Sequence, residues 1–269
     1  MRTNGEKPLI IAHRGASALA PENTLAAFRK AVEDGAEGIE FDVRLSKDGA
    51  AVVFHDADLK RIAQRDEKII NFSFDQLQKI DAGSWFNRAF PKLADEKFEH
   101  ETIPALKDVL NLLSDFRGLI YIELKCKEKE VEPLVNAVCR EISASHLLPN
   151  IIVKSFRLQA IPEIRRLCEG VTTAALFAPK IMTMLRKEKY LLKIAQEFRA
   201  DQISMHYTLV SRKFMNKAEK KEMPVAVWTV DNPRFVKRAF DLGIKAVITN
   251  DPVKLLEKRR EIFITEARA

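Results

Sequence analysis

Glu40 and Asp42 are the first residues whose types and spacing suggest chemistry. They lie in Gly38-Ile39-Glu40-Phe41-Asp42-Val43, where Ile39, Phe41 and Val43 alternate with them as on a strand. Alternation turns both carboxylates to one face, roughly 7 Å apart along the strand. The other face is apolar and suits helix packing. Two carboxylates facing a protein interior repel each other and lose hydration. They stay ionised there only when neutralised, and a hard divalent cation does this well. Alone, a Glu-x-Asp pair is most simply a solvated strand face.

Other polar residues at the ends of apolar runs change that reading. His13 and Arg14 follow Leu9-Ile10-Ile11-Ala12. His55 follows Ala51-Val52-Val53-Phe54, and Glu123 and Lys125 share a face at the end of Leu119–Leu124. Glu40, Asp42 and Glu123 make a carboxylate set suited to an oxygen-seeking ion, Mg²⁺ or Ca²⁺. His13 and His55 are able to bind a metal, but His-Glu-x-x-His spacing is absent. Imidazole titrates near neutrality, so the two read better as a general acid and base. Arg14 and Lys125 supply positive charge for an anionic group, of which phosphate is the best match.

The elements that must position these groups follow in order. Leu9–Ala12 predicts a buried strand, and Pro21-Glu22-Asn23-Thr24 opens a helix capped by Asn23 or Thr24 and ended by Gly35. Strand 39–45 comes next. Lys47-Asp48-Gly49 turns the chain into strand 51–54, hairpinned on its predecessor. Residues 57–101 break the rhythm and predict an inserted subdomain or lid. It holds a short helix over 75–80 and the aromatics Trp85, Phe86, Phe90 and Phe98, which form a small satellite core in the simplest reading. Alternation then resumes. Strands are expected at 119–124, 150–153, 172–177, 201–204, 224–230 and 246–248. Helices are expected at 104–113, 131–142, 158–167, 182–198, from 211, 233–242 and 252–262. Eight strand–helix units at this length argue for an α/β TIM (β/α)8 barrel with a small insertion after the second strand region. A doubly wound open sheet is the runner-up, weakened by the absence of Gly-x-Gly-x-x-Gly after the first strand. Lys154 and Ser155, His206, Trp228, and Thr249 with Asn250 also fall at strand ends. Polar residues therefore gather at the rim where such barrels do chemistry.

The chain has 269 residues, 46% hydrophobic and 31% charged, enough for one barrel domain over residues 1–269. A net charge of +7 is compatible with nucleic acid, anionic membranes or anionic substrates. The basic clusters Lys217, Lys220, Lys221 and Lys254, Lys258, Arg259, Arg260 carry no interleaved aromatics, so they read as solvated surface and no nucleic-acid partner is expected. Cys126, Cys139 and Cys168 show neither pairing nor metal spacing, which makes a reduced, cytoplasmic setting the default. No signal region or membrane-spanning run is evident.

Together these motifs resemble the glycerophosphodiester phosphodiesterases. The resemblance rests on Ala12-His13-Arg14-Gly15, Pro21-Glu22-Asn23-Thr24, Glu40-Phe41-Asp42-Val43, His55-Asp56 and Ile103-Pro104-Ala105-Leu106. Glu123-Leu124-Lys125, Ser155-Phe156, Trp228-Thr229-Val230 and Thr249-Asn250-Asp251-Pro252 complete it. It covers residues 9 to 253 in order. It implies a TIM barrel with an insertion after His55-Asp56 and a divalent metal held by Glu40, Asp42 and Glu123. It further implies His13 and His55 as the catalytic pair, Arg14 and Lys125 at the phosphate, and a small-molecule glycerophosphodiester as substrate. Trp228 and His206 are candidates for the substrate rim, and Asn23 for capping or support. Asp231 departs from the Asn that often follows Trp-Thr-Val, and the run after His55 is less typical, which bears on substrate preference. Two alternatives stand beside this reading. One is a lysophospholipase D, whose lysolipid substrate would bring transient contact with membrane lipid. The other is a non-catalytic phosphate-binding barrel.

Overall fold

The computed structural model describes residues 6–181 and 189–266. Eight parallel strands close into a barrel in the order β1-β9-β8-β7-β6-β5-β4-β2, with β1 pairing back to β2. They are β1 (Leu9–His13), β2 (Gly38–Leu45), β4 (Leu119–Leu124), β5 (Ile151–Ser155), β6 (Thr172–Phe177), β7 (Gln202–His206), β8 (Val225–Trp228) and β9 (Ala246–Thr249). Strand β3 (Ala51–Val53) lies outside the barrel, antiparallel to the end of β2. The helices around the wall are α1 (Leu25–Glu33), α5 (Leu106–Leu112), α6 (Val131–Ser143), α7 (Ala160–Leu167), α8 (Lys189–Glu197), α9 (Arg212–Glu219), α10 (Phe235–Leu242) and α11 (Pro252–Glu266). The expected helix over 182–198 is described only from Lys189, and residues 182–188 lie outside the described residues. Among the described residues no helix is long and apolar enough to cross a membrane.

Strands covered on both faces read as apolar runs, as Leu9-Ile10-Ile11-Ala12 and Ile151-Ile152-Val153 do. One face of each stave packs on helices: Ile39, Phe41 and Val43 of β2 meet Phe28 of α1 and Leu134 and Val138 of α6. The other face fills the barrel with Ile11, Tyr121, Ile152, Ala174, Ala226, Ala246 and Ile248. Small alanines on β6, β8 and β9 leave room for Tyr121, whose hydroxyl donates to Gln202 across the interior at 3.4 Å. The polar groups of β1, β2, β4 and β5 stand above this apolar floor.

Several strands run further than the hydrophobic pattern. β1 includes His13, β5 reaches Ser155 and β7 reaches His206. Their last residues are polar, so the apolar signal stops while the backbone ladder continues. Several helices start later than expected, at Leu106, Ala160 and Phe235, because the Pro or polar residues before them form the entry turn. Thr24, not Asn23, caps α1, its Oγ1 accepting from the Ala27 amide at 3.3 Å.

The stretch 57–101 holds three short helices, α2 (Lys60–Ala63), α3 (Phe74–Leu77) and α4 (Ser84–Ala89), with 3₁₀ turns. The expected helix over 75–80 is thus shorter and starts earlier. Leu59, Ile62, Ile69, Leu77, Ile80 and Ala82 form a core with Val52, Phe54 and Ile103. Phe86 is buried against Phe90 at 4.9 Å, Phe98 at 5.6 Å and Trp85 at 5.9 Å. The aromatics therefore do form a satellite core.

Candidate active site

Register brings the acids together. His13 pairs with Glu40, Asp42 with Glu123 and Glu123 with Lys154 on adjacent strands. One oxygen from each of Glu40, Asp42 and Glu123 lies within 4.8 Å of the others. All three residues are buried, at 0%, 1% and 5% exposure. The outer oxygens of Asp42 and Glu40 are held by the chain. Asn23 Nδ2 donates to Asp42 Oδ2 at 3.0 Å, while the Asp42 amide donates to Asn23 Oδ1 at 3.3 Å. The Arg14 amide donates to Glu40 Oε2 at 3.3 Å.

Glu40 Oε1, Asp42 Oδ1 and Glu123 Oε1 receive no aligned hydrogen bond. Lysines do approach them: Lys154 Nζ lies 2.8 Å from Glu40 Oε1, and Lys125 Nζ lies 2.5 Å from Glu123 Oε1 and 3.3 Å from Asp42 Oδ1. These contacts have the distance of ion pairs without the direction of hydrogen bonds. Three buried hard oxygens with free lone pairs fit a divalent cation. Burial opposes the charge of Asp42, but Lys125, Arg14, His55 and His13 hold its carboxyl well below the usual range. Burial also opposes Glu40, and Lys154 and His13 bring it below its ordinary value. Both acids are therefore ionised at neutral pH, as metal ligands must be.

A left-handed turn delivers the first cation. Arg14 has φ 56° and Gly15 φ 80°, and a Cβ on Gly15 would come within 2.6 Å of the Ala27 backbone. Only glycine lets this turn lie flat on α1. Arg14 Nε then sits 3.1 Å from Asp42 Oδ2, and its Nη1 donates to Glu22 Oε1 at 2.8 Å. Glu22 also accepts two bonds from Arg61 of α2, at 2.7 and 3.0 Å. Burial works against its charge, but Arg61 and Arg14 lower its carboxyl below the ordinary range.

The two imidazoles have different partners. His13 Nδ1 lies 2.7 Å from Asn250 Oδ1, and its Nε2 lies 3.8 Å from Glu40 Oε2. His55 Nδ1 lies 2.7 Å from Asp56 Oδ1, and Arg61 Nε donates to Asp56 Oδ2 at 2.8 Å. The bond from His55 draws the Asp56 carboxyl well below the usual range, against partial burial and with help from Arg61.

Trp228 and His206 do not join the carboxylates. They form an aromatic rim: Trp228 meets His206 at 5.4 Å and exposed Phe156 at 5.7 Å, both edge to face. Phe156 borders Lys125, whose Nζ is 5.8 Å from its ring centre. Beside Arg14 and Lys125, the two cations expected at the acids, the structure places a third. Lys154, 2% exposed, is the residue before the last of β5 and faces inward between Glu40 and Glu123. A lysine inside an otherwise apolar buried strand was the available signal. The Glu22–Arg61 link had no such signal, because it joins positions 39 residues apart.

The model of the glycerophosphoryl diester phosphodiesterase family matches residues 13–254. The chain belongs to this family. A glycerophosphodiester phosphodiesterase of Caldanaerobacter subterraneus subsp. tengcongensis is 30% identical, over 95% of this chain and 99% of its own. YhdW of Bacillus subtilis is 34% identical, over 90% of this chain and 94% of its own. Among solved structures, an Oleispira antarctica phosphodiesterase in complex with the product sn-glycerol-3-phosphate is 25% identical with a TM-score of 0.82. That match covers 94% of this chain and 96% of the other. Family membership and the buried acidic trio agree on a divalent metal site.

Proposed function

We propose that the chain hydrolyses glycerophosphodiesters to an alcohol and glycerol 3-phosphate, using a divalent cation held by Glu40, Asp42 and Glu123. The observation that carries this reading is the convergence at one barrel rim of three buried carboxylate oxygens that accept no aligned hydrogen bond, with His13 beside Glu40 and the charge of His55 felt at Asp42. Mg²⁺ or Ca²⁺ would suit the all-oxygen donor set of Glu40, Asp42 and Glu123 and would supply Lewis acidity to the phosphoryl transfer.

The chain's own groups then do the following. Arg14 and Lys125 face the phosphoryl oxygens and offset their charge. His13 takes the proton of the glycerol 2-hydroxyl as that oxygen attacks phosphorus. His55 gives a proton to the departing alcohol as its bond to phosphorus breaks. Water adds to the resulting cyclic phosphate and opens it to glycerol 3-phosphate. Different partners support this division of labour. Asp56, a carboxylate, suits an imidazole that carries two protons, and the neutral Asn250 amide suits one that carries a single proton. We read residues 57–101 as an insertion within one phosphodiesterase domain, tied to the site through Arg61. The three free cysteines fit a reduced, cytoplasmic setting.

A second reading keeps the chemistry and changes the substrate. Exposed Phe156 beside Lys125 offers an apolar surface next to the phosphate position, which favours a lysolipid with one acyl chain. The test is a turnover panel of glycerophosphocholine and lysophosphatidylcholine with Mg²⁺, Ca²⁺ or Mn²⁺, each repeated in excess EDTA. Release of glycerol 3-phosphate from glycerophosphocholine, or of lysophosphatidic acid from lysophosphatidylcholine, that stops with EDTA is expected. Turnover of neither substrate would remove the enzyme reading, and full activity in chelator would remove the metal.

A further inference from the structure

We infer that Asp231 is a positioning residue for His13, acting through Asn250 to keep the proton on Nδ1 and the lone pair of Nε2 facing the site. The inference rests on the proposed role of His13 as base. It starts from the hydrogen bonds of Asp231 behind Asn250, which the acid–base reading does not use. Asp231 Oδ1 accepts from the Asn250 amide at 2.9 Å and the Thr249 hydroxyl at 3.1 Å, and Asp231 Oδ2 accepts from Asn250 Nδ2 at 2.7 Å. Asn250 Oδ1 in turn lies 3.0 Å from Ser17 Oγ, a donor, and 2.7 Å from His13 Nδ1.

Each link forces the next. A carboxylate only accepts, so the Asn250 side chain must present its NH₂ to Asp231. Its carbonyl oxygen then faces His13. Two acceptors cannot share a hydrogen bond, so His13 Nδ1 carries the hydrogen. In the neutral ring Nε2 is then bare. That nitrogen is the one 3.8 Å from Glu40, on the side of the acidic trio. The charge on Asp231 thus fixes, two side chains away, which nitrogen is free to take a proton. Thr249 ends β9 and Asn250 follows it, beside β1, so the chain of bonds bridges the two staves where they pair.

Asp231→Asn breaks the logic at its source. The position that accepts from the Asn250 amide and Thr249 must stay an oxygen, so the new NH₂ faces Asn250. The Asn250 side chain must then turn its oxygen toward it and its NH₂ toward His13. His13 Nδ1 becomes an acceptor and Nε2 takes the hydrogen. Exchanging the two groups in Asp231→Asn/Asn250→Asp restores the original order, since an amide now donates to a carboxylate that accepts from His13.

The experiment is ¹⁵N NMR of the histidine-labelled chain with Mg²⁺, with His13 assigned by His13→Asn, alongside steady-state kinetics on glycerophosphocholine. In the wild type the His13 Nδ1 signal should be that of a protonated nitrogen and Nε2 that of a bare one. Asp231→Asn should reverse them and lower kcat by about 100-fold, the scale of a lost general base, with KM within twofold. The double variant should recover the wild-type signals and most of kcat. An Nε2-protonated His13 in the wild type, or signals unmoved by Asp231→Asn, would overturn the inference. Reversed signals with kcat unchanged would leave the positioning chain standing and remove the base role of His13, so the two failures are distinct.

Discussion

Lys154 shows how finely charge is matched at the level of single side chains. Three buried carboxylates meet three cations, Arg14, Lys125 and Lys154, so the site is balanced before any metal or phosphate arrives. A buried ion pair that loses one partner leaves a costly orphan charge. Lys154→Met should therefore lower the unfolding free energy of the metal-free chain by about 3 kcal/mol. Added Mg²⁺ should return part of that loss by neutralising Glu40. Urea unfolding with and without Mg²⁺ measures both, and an unchanged midpoint would show that Lys154 is no counter-charge. Glu40→Ala should abolish metal-dependent turnover while far-UV circular dichroism stays native, since it removes a ligand and leaves the apolar floor intact. His13→Ala and His55→Ala should each cost at least ~100-fold in kcat. Small losses in both would cancel the acid–base pair.

At the scale of elements, the site depends on strand ends held in register and on an insertion pinned to them. The Glu22–Arg61–Asp56 network joins the loop after β1, helix α2 and the residue after His55. The core of the insertion keeps α2 in place through Leu59 and Ile62. Trp85, at the edge of that core, packs on Phe86, the fully buried member of the aromatic group with Phe90 and Phe98. Phe86→Ala should destabilise by about 3–5 kcal/mol through lost burial and a cavity. Chemical denaturation followed by the fluorescence of Trp85, which packs on Phe86, reports it. A loss under about 1 kcal/mol would mean the satellite core is loosely packed. This element was legible only in part. The clustering of Trp85, Phe86, Phe90 and Phe98 announced a small core, but the boundaries of α3 and α4 did not follow, because short helices carry too few turns to show a period.

For the whole molecule, the same pairing sets the response to acid. Glu22 and Glu40 titrate below the ordinary glutamate value of 4.5, and Asp42 and Asp56 below the aspartate value of 3.8. As pH falls, the unfolded chain takes up protons first. The stability these four acids contribute is complete above about pH 4.5 and is lost as pH drops toward their folded values. The urea midpoint should be flat from about pH 8 to about pH 5 and fall steeply below about 4.5. A midpoint that rose between about pH 5 and pH 3 would contradict the ion-pair geometry.

What the sequence determined by itself is local and periodic. Alternation in 39–43 set which side chains share a face. Apolar runs alternating with amphipathic stretches set eight staves, and His13, Arg14, Glu40, Asp42, His55, Glu123 and Lys125 were visible as polar residues at strand ends. Partners that meet across distance were decided only by the tertiary structure. Lys154 between Glu40 and Glu123, Asn23 on Asp42, Arg61 on Glu22, and Asp231 reaching His13 through Asn250 all depend on register and closure between segments far apart in the chain. Periodicity tells which way a side chain points. What it points at is set by the neighbouring strand, and that neighbour is fixed only when the barrel closes.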